Sequence, residues 1–358
     1  MVLSSRFGGL GIAVVSALSF GTSGALIKPL LEAGWSPAAA VTARALTASL
    51  LLAPLAIVAL RGNWGALWRG RWRVLGMGAV GVAATQLAYF TALHTIPVST
   101  ALLVEFLAPL LLVGFAWATT RRAPRPAVLV GSVLAVGGLL LVIGPGAIRA
   151  VDPVGLMFAF AAAVGCAVYF VIAARPNDGL PPVALAASGL FVGGIVLALL
   201  SATGILPFSA TFGDLPLFGG SAPWWVPLLI VAVVSTALAY VAGITASGIL
   251  GSRVASFAGL LEVVFASLFA WLLLGEQLSL LQLLGGALIL GGIAAVNGER
   301  GPEPLAPGQL APGAPAPGAV TPGVVTPDVV APDVVAPDQM QENSVPSPAD
   351  RPERVTRG

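Results

Sequence analysis

Glu105, Glu262 and Arg44 lie inside long apolar runs, and that placement gives them chemical weight. An ionisable side chain at membrane depth is costly, so such groups face a polar cavity or one another and mark a transport path or a relay. Glu262 sits near the middle of its run, on a helical face shared with Ser252, Ala255, Gly259, Ala266 and Ala270, and a face of small residues is expected to point inward. A carboxylate there can bind a cationic group or a proton. Arg44 follows Pro37 by seven residues and Glu105 follows Val98 by seven. At about 1.5 Å per residue both then lie roughly 10 Å below the outer ends of their helices. A buried salt bridge between them and solute binding by Arg44 are both open on spacing alone. Gln86 and Thr85 beside Tyr89, with Ser235, Thr236 and Tyr240 in a related run, offer polar contacts for a solute. Hydrogen bonding between helices accounts for them equally well. Pro109, four residues after Glu105, is expected to bend its helix, as cavity-lining helices often do.

Other chemistries lack their residues. His94 is the only histidine and Cys166 the only cysteine, so neither a Ser-His-Asp triad with a spare base, an HExxH zinc site nor a disulfide framework can be assembled. No cofactor and no metal site is expected, and the chain does not read as an enzyme; an intramembrane enzyme, a channel or a non-transporting receptor stand as rivals from other classes. No GxxxxGK[ST] phosphate loop is present, so any pumping energy must come from gradients or a partner. With 57% hydrophobic and 9% charged residues and a mean hydropathy of +0.97, the chain is far more apolar than a soluble domain. Its net charge of +2 gives no footprint for nucleic acid. The expected partners are a small-molecule solute and the lipid bilayer, with a coupling proton and a homo-oligomer left open.

Apolar stretches long enough to cross a bilayer, about 20 residues, can be drawn ten times between Gly8 and Asn297. The fold class is therefore an all-α polytopic membrane protein with ten transmembrane helices, expected in the cell membrane. Arg6, Arg61, Arg69, Arg71, Arg73, Arg121, Arg122, Arg125, Arg175, Arg253 and Arg300 all fall at one end of these spans, against mainly Arg149 at the other. The positive-inside rule then places both termini in the cytoplasm. Lys28 near an outer end is expected to snorkel, and Trp224 and Trp225 suit an outer aromatic belt. Residues 1–7 form a short cytoplasmic N-terminus. From residue 298 to 358 the chain is rich in Pro, Ala and Val and reads as a disordered cytoplasmic tail.

The second half of the membrane region repeats the first. Gly131, Gly137 and Gly138 recur as Gly285, Gly291 and Gly292, and Phe115-Ala116-Trp117 recurs as Phe269-Ala270-Trp271 at the same offset. Leu87-Ala88-Tyr89 matches Leu238-Ala239-Tyr240 at a slightly different one. Two five-helix units follow, residues 8–145 and 153–297. Consecutive units with an odd number of spans enter the membrane from opposite sides, the inverted repeat on which many alternating-access carriers are built. In this frame Glu105 aligns with Gly259 and Ala108 with Glu262, so the two acids occupy similar faces one turn apart on symmetry-related helices.

Leu260-Leu261-Glu262-Val263-Val264-Phe265-Ala266, then Leu274-Gly275-Glu276, then Gln282-Leu283-Leu284-Gly285-Gly286-Ala287 resemble the second-repeat signature of the EamA-like domains of the drug/metabolite transporter superfamily. Val104-Glu105-Phe106-Leu107-Ala108-Pro109 leading to Arg121-Arg122 is similar to the threonine/homoserine exporter branch. The resemblance implies a central cavity between the repeats and export or exchange of metabolites. Glu262, Glu105, Arg44, Tyr89, Gln86 and Tyr240 would bind solute or proton; Pro109 and Glu276 would serve bending or gating. The function expected is a secondary transporter of a small organic metabolite such as an amino acid, the alternative a drug or cation efflux carrier. Two positions depart from the family pattern: Val263 stands where a proline is common, which puts bending of that span in doubt, and Arg121-Arg122 replace an acidic motif in the first repeat.

Overall fold

The computed structural model describes residues 2–96, 98–144, 152–175, 179–217, 220–274, 277 and 279–298. Glu276 and the tail beyond residue 298 lie outside them. Spans one to seven are the helical stretches Phe7–Glu32, Pro37–Ala59, Arg71–Ala92, Thr100–Thr120, Pro126–Ile143, Pro153–Ala173 and Pro182–Ala202. The next stretch, Trp225–Gly259, is 35 residues long, too long for one crossing. It divides at Gly251, where φ is +79° and the backbone leaves the helix. Span eight is thus residues 225–250. Span nine is 252–259 continued by Leu261–Leu274, and span ten is Leu280–Asn297, for ten spans among the described residues.

Local sequence fixes most starts. Pro37, Pro126, Pro153 and Pro182 occupy the first turn of their helices, where a missing N–H costs nothing. Asp152 caps span six by accepting from the Gly155 amide at 2.9 Å, and Ser279 with Gln282 forms a capping box on span ten.

Five spans depart from regular α-helix. Span one turns at Thr22. Span four breaks at residues 106–107, between Val98–Glu105 and Ala108–Thr120. Span nine breaks at Leu260, without a proline beside Glu262, so the bend that Val263 put in doubt is present. Both breaks are tightened turns: the Leu107 amide donates to the Val104 carbonyl and the Leu260 amide to that of Phe257. Spans three and eight each contain a π-helical segment, Met77–Ala84 and Val231–Leu238. Just after the first and within the second, a threonine hydroxyl donates to the carbonyl five residues back: Thr85 to Val80 at 2.8 Å, Thr236 to Val231 at 3.1 Å. Thr85 and Thr236 are related by the same 151-residue offset as Tyr89 and Tyr240, so the repeat extends to this irregular backbone.

Spans five and ten pack through their glycines. A Cβ at Gly138 would lie 2.5 Å from the Gly285 carbonyl oxygen, and one at Gly292 would lie 2.7 Å from that of Gly131. At the Arg-rich end, Arg73 is buried and donates to the carbonyls of Ile172 and Ala173, capping span six. Nearby Trp64, Trp68 and Trp72 are exposed, with Arg71 over the last two rings, as in an interfacial belt. At the opposite end, a strap before span eight ends in a hairpin of Asp214–Leu217 and Gly220–Pro223. It is tied to the turn between spans one and two. The Ser36 amide donates to Ser209 O, Thr211 Oγ1 to Ala33 O, and Trp35 Nε1 to Thr211 O, at 2.9, 2.6 and 2.7 Å. Trp35, Phe212 and Trp224 close over it as one aromatic cluster, so Trp224 packs inward while Trp225 is half exposed. Lys28 and Glu32, both exposed, form an i,i+4 pair at 4.0 Å.

The glycine contact makes a sharp prediction. Gly138→Val should lower stability by about 1–3 kcal/mol through overpacking, whereas Gly137→Val, whose added Cβ meets nothing within 4 Å, should unfold at nearly the parent's denaturant concentration in the same detergent.

Candidate functional site

A cavity of about 170 Å³ opens between the spans of both repeats. A water needs roughly 10–15 Å³, so the space holds about a dozen waters or a solute of similar size. Its charged groups are Arg44 from span two, Glu105 from span four and Glu262 from span nine. Glu105 is the last residue of the half-helix before its break, and Glu262 the second residue of the half-helix after the corresponding break. The symmetric breaks therefore deliver one acid each to the same space. The Arg44 guanidinium donates to Ser23 Oγ at 2.7 Å, and no ion pair within 4.0 Å joins it to either carboxylate among the described residues. The salt bridge that spacing left open is not formed. Neither carboxyl group has a hydrogen-bond partner among the described residues, so Glu105 and Glu262 face the cavity unpaired.

The remaining wall is aromatic and small. Phe20, Tyr240, Tyr169 and Phe170 form a chain of edge-to-face rings with centroids 5.1–5.7 Å apart. Ser16 Oγ donates to the Ala239 carbonyl at 2.9 Å and the Thr22 and Ser235 hydroxyls meet at 2.8 Å. These bonds lock the turn of span one against the π segment of span eight. Gly21 lets span one approach span nine: a Cβ there would lie 2.7 Å from the Phe265 Cβ.

The family model described as the EamA-like transporter family matches residues 7–144 and again 153–298, one match to each set of five spans. The chain belongs to the EamA-like transporter family. It is 30% identical over 216 residues to the threonine/homoserine exporter RhtA of Escherichia coli strain K12, and equally to that of strain O157:H7, a stretch covering 59% of this chain. The chain spans 66% of the length of these curated relatives, just under two thirds. A solved crystal structure shares the fold with a TM-score of 0.64 over 81% of this chain and 96% of its own, at 22% identity. The protein is thus a multi-pass membrane protein of a transporter family.

Of the EamA-like chain's sequence-expected site residues, Glu262, Glu105, Arg44, Gln86 and Tyr240 all line the cavity. Tyr89 does not. It packs with Ala92, Ile96, Ala101 and Ala159 and edge-on to Phe90. Pro109 is buried in the first turn of Ala108–Thr120, directly after the break in span four, where its ring and missing N–H are tolerated. Glu276 lies outside the described residues. Sequence reasoning missed Tyr169, Ser16 and Phe20, and placed Cys166 only in an apolar run, although it lines the cavity too. In the linear sequence Tyr169 and Phe20 read as ordinary core aromatics. Only the pairing of spans one, six and eight turns them toward one space.

The paired threonines allow a test of the irregular spans. Thr85→Val and Thr236→Val should each lower resistance to unfolding by roughly 0.6–2 kcal/mol, the range for hydrogen bonds inside membranes, and the double variant by about the sum because the sites are separate. Denaturant titration in detergent reads all three.

Proposed function

We propose that this EamA-like transporter is a secondary carrier that exports a small amino acid by alternating access. The observation that carries the reading is the convergence of Arg44, Glu105 and Glu262, unpaired with one another, in one cavity between the two repeats. A zwitterion needs that set: a guanidinium for its carboxylate and a carboxylate for its ammonium. The similarity to the threonine/homoserine exporters points to the same solute class. The second acid leaves a proton site free while the first holds the ammonium, which suits proton coupling. The lining reaches Ser247 and Ala255, each four residues from the Gly251 turn, or about 6 Å along a helix. At the opposite end of the spans the strap is tied to the turn between spans one and two. With the Arg-rich end in the cytoplasm, the cavity faces the cytoplasm, ready to load solute for export. A second reading, efflux of a lipophilic cation, is favoured by two acids against one base and by the aromatic wall; tetraphenylphosphonium efflux from the same cells separates it from amino-acid export.

Cells expressing the parent should accumulate external threonine or homoserine over empty-vector cells, and Glu262→Gln at matched membrane levels should cut that release by about tenfold or more, the value of one charge-assisted hydrogen bond. Equal release by both forms would remove Glu262 from the mechanism. Cys166, the only cysteine, supplies a reporter for alternating access without mutagenesis. A membrane-impermeant methanethiosulfonate should modify it from the cytoplasmic face of inverted vesicles, and millimolar transported amino acid should slow that reaction. Modification at the same rate from either face, insensitive to solute, would count against a one-sided cavity.

A further inference from the structure

The segment joining spans two and three carries charged and aromatic side chains that the transport cavity does not use. Residues 60–76 hold four arginines and three tryptophans and no acidic residue. Two short helices, Gly65–Arg69 and Arg71–Gly76, meet at Gly70 and sort these side chains by face. Ala66, Gly70, Arg73 and Val74 are buried, whereas Arg61, Arg69, Arg71 and the tryptophans are exposed. Trp68 and Trp72 are 72% and 70% exposed, an amount of ring surface that suits a headgroup layer better than water. The Arg71 guanidinium carbon lies 4.8 Å from the Trp68 ring centroid and 5.6 Å from that of Trp72, and its Nη1 donates to the Trp68 carbonyl at 3.0 Å. Rings and hydrogen bond together fix the guanidinium, which keeps its other donors for an oxyanion. Arg69 is positioned too: its Nη2 donates to Asn63 Oδ1 at 3.1 Å, and Asn63 Nδ2 donates to the Gly179 carbonyl at 3.4 Å. Leu75, exposed three residues after Trp72 on the same helical face, continues the apolar surface into span three. The other Arg-rich loop at this end, with Arg121, Arg122 and Arg125, has no aromatic residue. Orientation by positive charge accounts for that loop, but it gives no reason for a guanidinium laid on two rings.

We propose that this surface is a binding site for an anionic phospholipid, its phosphate on Arg69 and Arg71 and an acyl chain along Trp72 and Leu75. The site is separate from the cavity and holds whatever solute the cavity carries. Charge selects the headgroup: a choline lipid brings its own cation to exposed arginines, whereas phosphatidylglycerol brings only the anion. The apolar face selects a lipid over a soluble anion. An acidic peptide or a free phosphate would satisfy the arginines and leave Trp68, Trp72 and Leu75 in water; a lipid covers both kinds of surface at once.

The test titrates the purified full-length protein in detergent with dioleoyl phosphatidylglycerol or with dioleoyl phosphatidylcholine and counts bound lipid by native mass spectrometry. The parent should bind phosphatidylglycerol with a Kd about tenfold or more below that for phosphatidylcholine, each arginine near an anionic lipid being worth roughly fivefold. Arg69→Gln with Arg71→Gln should bring the two lipids within about twofold of each other. Arg121→Gln with Arg122→Gln, which removes the same charge from the same end, should leave the preference intact. Arg71→Gln alone should lower it about fivefold, and it decides the matter if the first double variant does not fold. Millimolar glycerol 3-phosphate, the headgroup phosphate without chains, should fail to displace the lipid. A parent with no preference, or a preference that survives the loss of Arg69 and Arg71, overturns the site. An equal fall in both double variants overturns it in favour of diffuse charge, and displacement by glycerol 3-phosphate overturns it in favour of a free-anion site.

Discussion

Hydrocarbon offers no hydrogen-bond partner, so backbone that crosses it must satisfy itself as helix unless it faces a polar space. That constraint organises the molecule. Every departure from α-helix inside a span falls in span one, three, four, eight or nine, and all five contribute to the cavity wall. Spans five, seven and ten contribute nothing to it and run unbroken. The irregular turns are not left open: Thr22, Thr85, Thr236 and Ser16 each direct a hydroxyl at a carbonyl near a turn or π segment, which is how membrane helices re-satisfy freed backbone. Polar side chains thus divide into those that repair backbone and those that hold nothing. The proposed site draws on the second group, with Arg44 held by its bond to Ser23.

The outer spans do the opposite work. Spans five and ten meet through Gly131, Gly138, Gly285 and Gly292 at distances that exclude any side chain, and they gain stability from backbone approach rather than from burying large residues. A scaffold of this kind is rigid and indifferent to solute. The spans that carry Glu105 and Glu262 are each cut in two, and a half-helix that ends at membrane depth can turn about its break with few contacts to lose. The glycine seam joins one repeat to the other, whereas Glu105 and Glu262 each sit at a break inside a repeat.

Legibility in the sequence followed the physics of each signal. Length and apolarity are one-dimensional properties, so the spans could be drawn from Gly8 to Asn297, and a charge in an apolar run is visible at once, which is why Glu105, Glu262 and Arg44 stood out. The glycine seam was visible because it repeats. The π segments were not, since Thr85 and Thr236 look like any polar residue in a span and the change from i−4 to i−5 bonding leaves no mark on hydrophobic pattern. Span eight runs into span nine through Gly251 without a long polar loop, and the apolar stretch is still readable as two crossings because it is too long for one. Tyr89 and Tyr240 share a position in the repeat, yet one faces neighbours and the other the cavity: repeat symmetry fixes where a residue sits on its helix, and packing decides what that side meets.

The strap constrains any cycle built on this frame. Trp35 and Ser36 belong to the first repeat, whereas Ser209, Thr211, Phe212 and Trp224 belong to the second. In the proposed cycle a solute leaves past this end, so the two repeats must separate there while the Gly251 end closes. Five hydrogen bonds and a cluster of three aromatic rings bridge the gap. Breaking all of them together would cost several times the roughly 1 kcal/mol of a single bond and would make the outward state rare. The exposed hairpin ahead of span eight gives a cheaper route. The strap can stay on the first repeat while the chain between residue 213 and Trp225 takes up the movement, so that only the Trp224 contacts part. In the proposed cycle the strap would travel with the first repeat although it belongs to the second in sequence, and the aromatic cluster would set how readily the outward state forms without touching the solute.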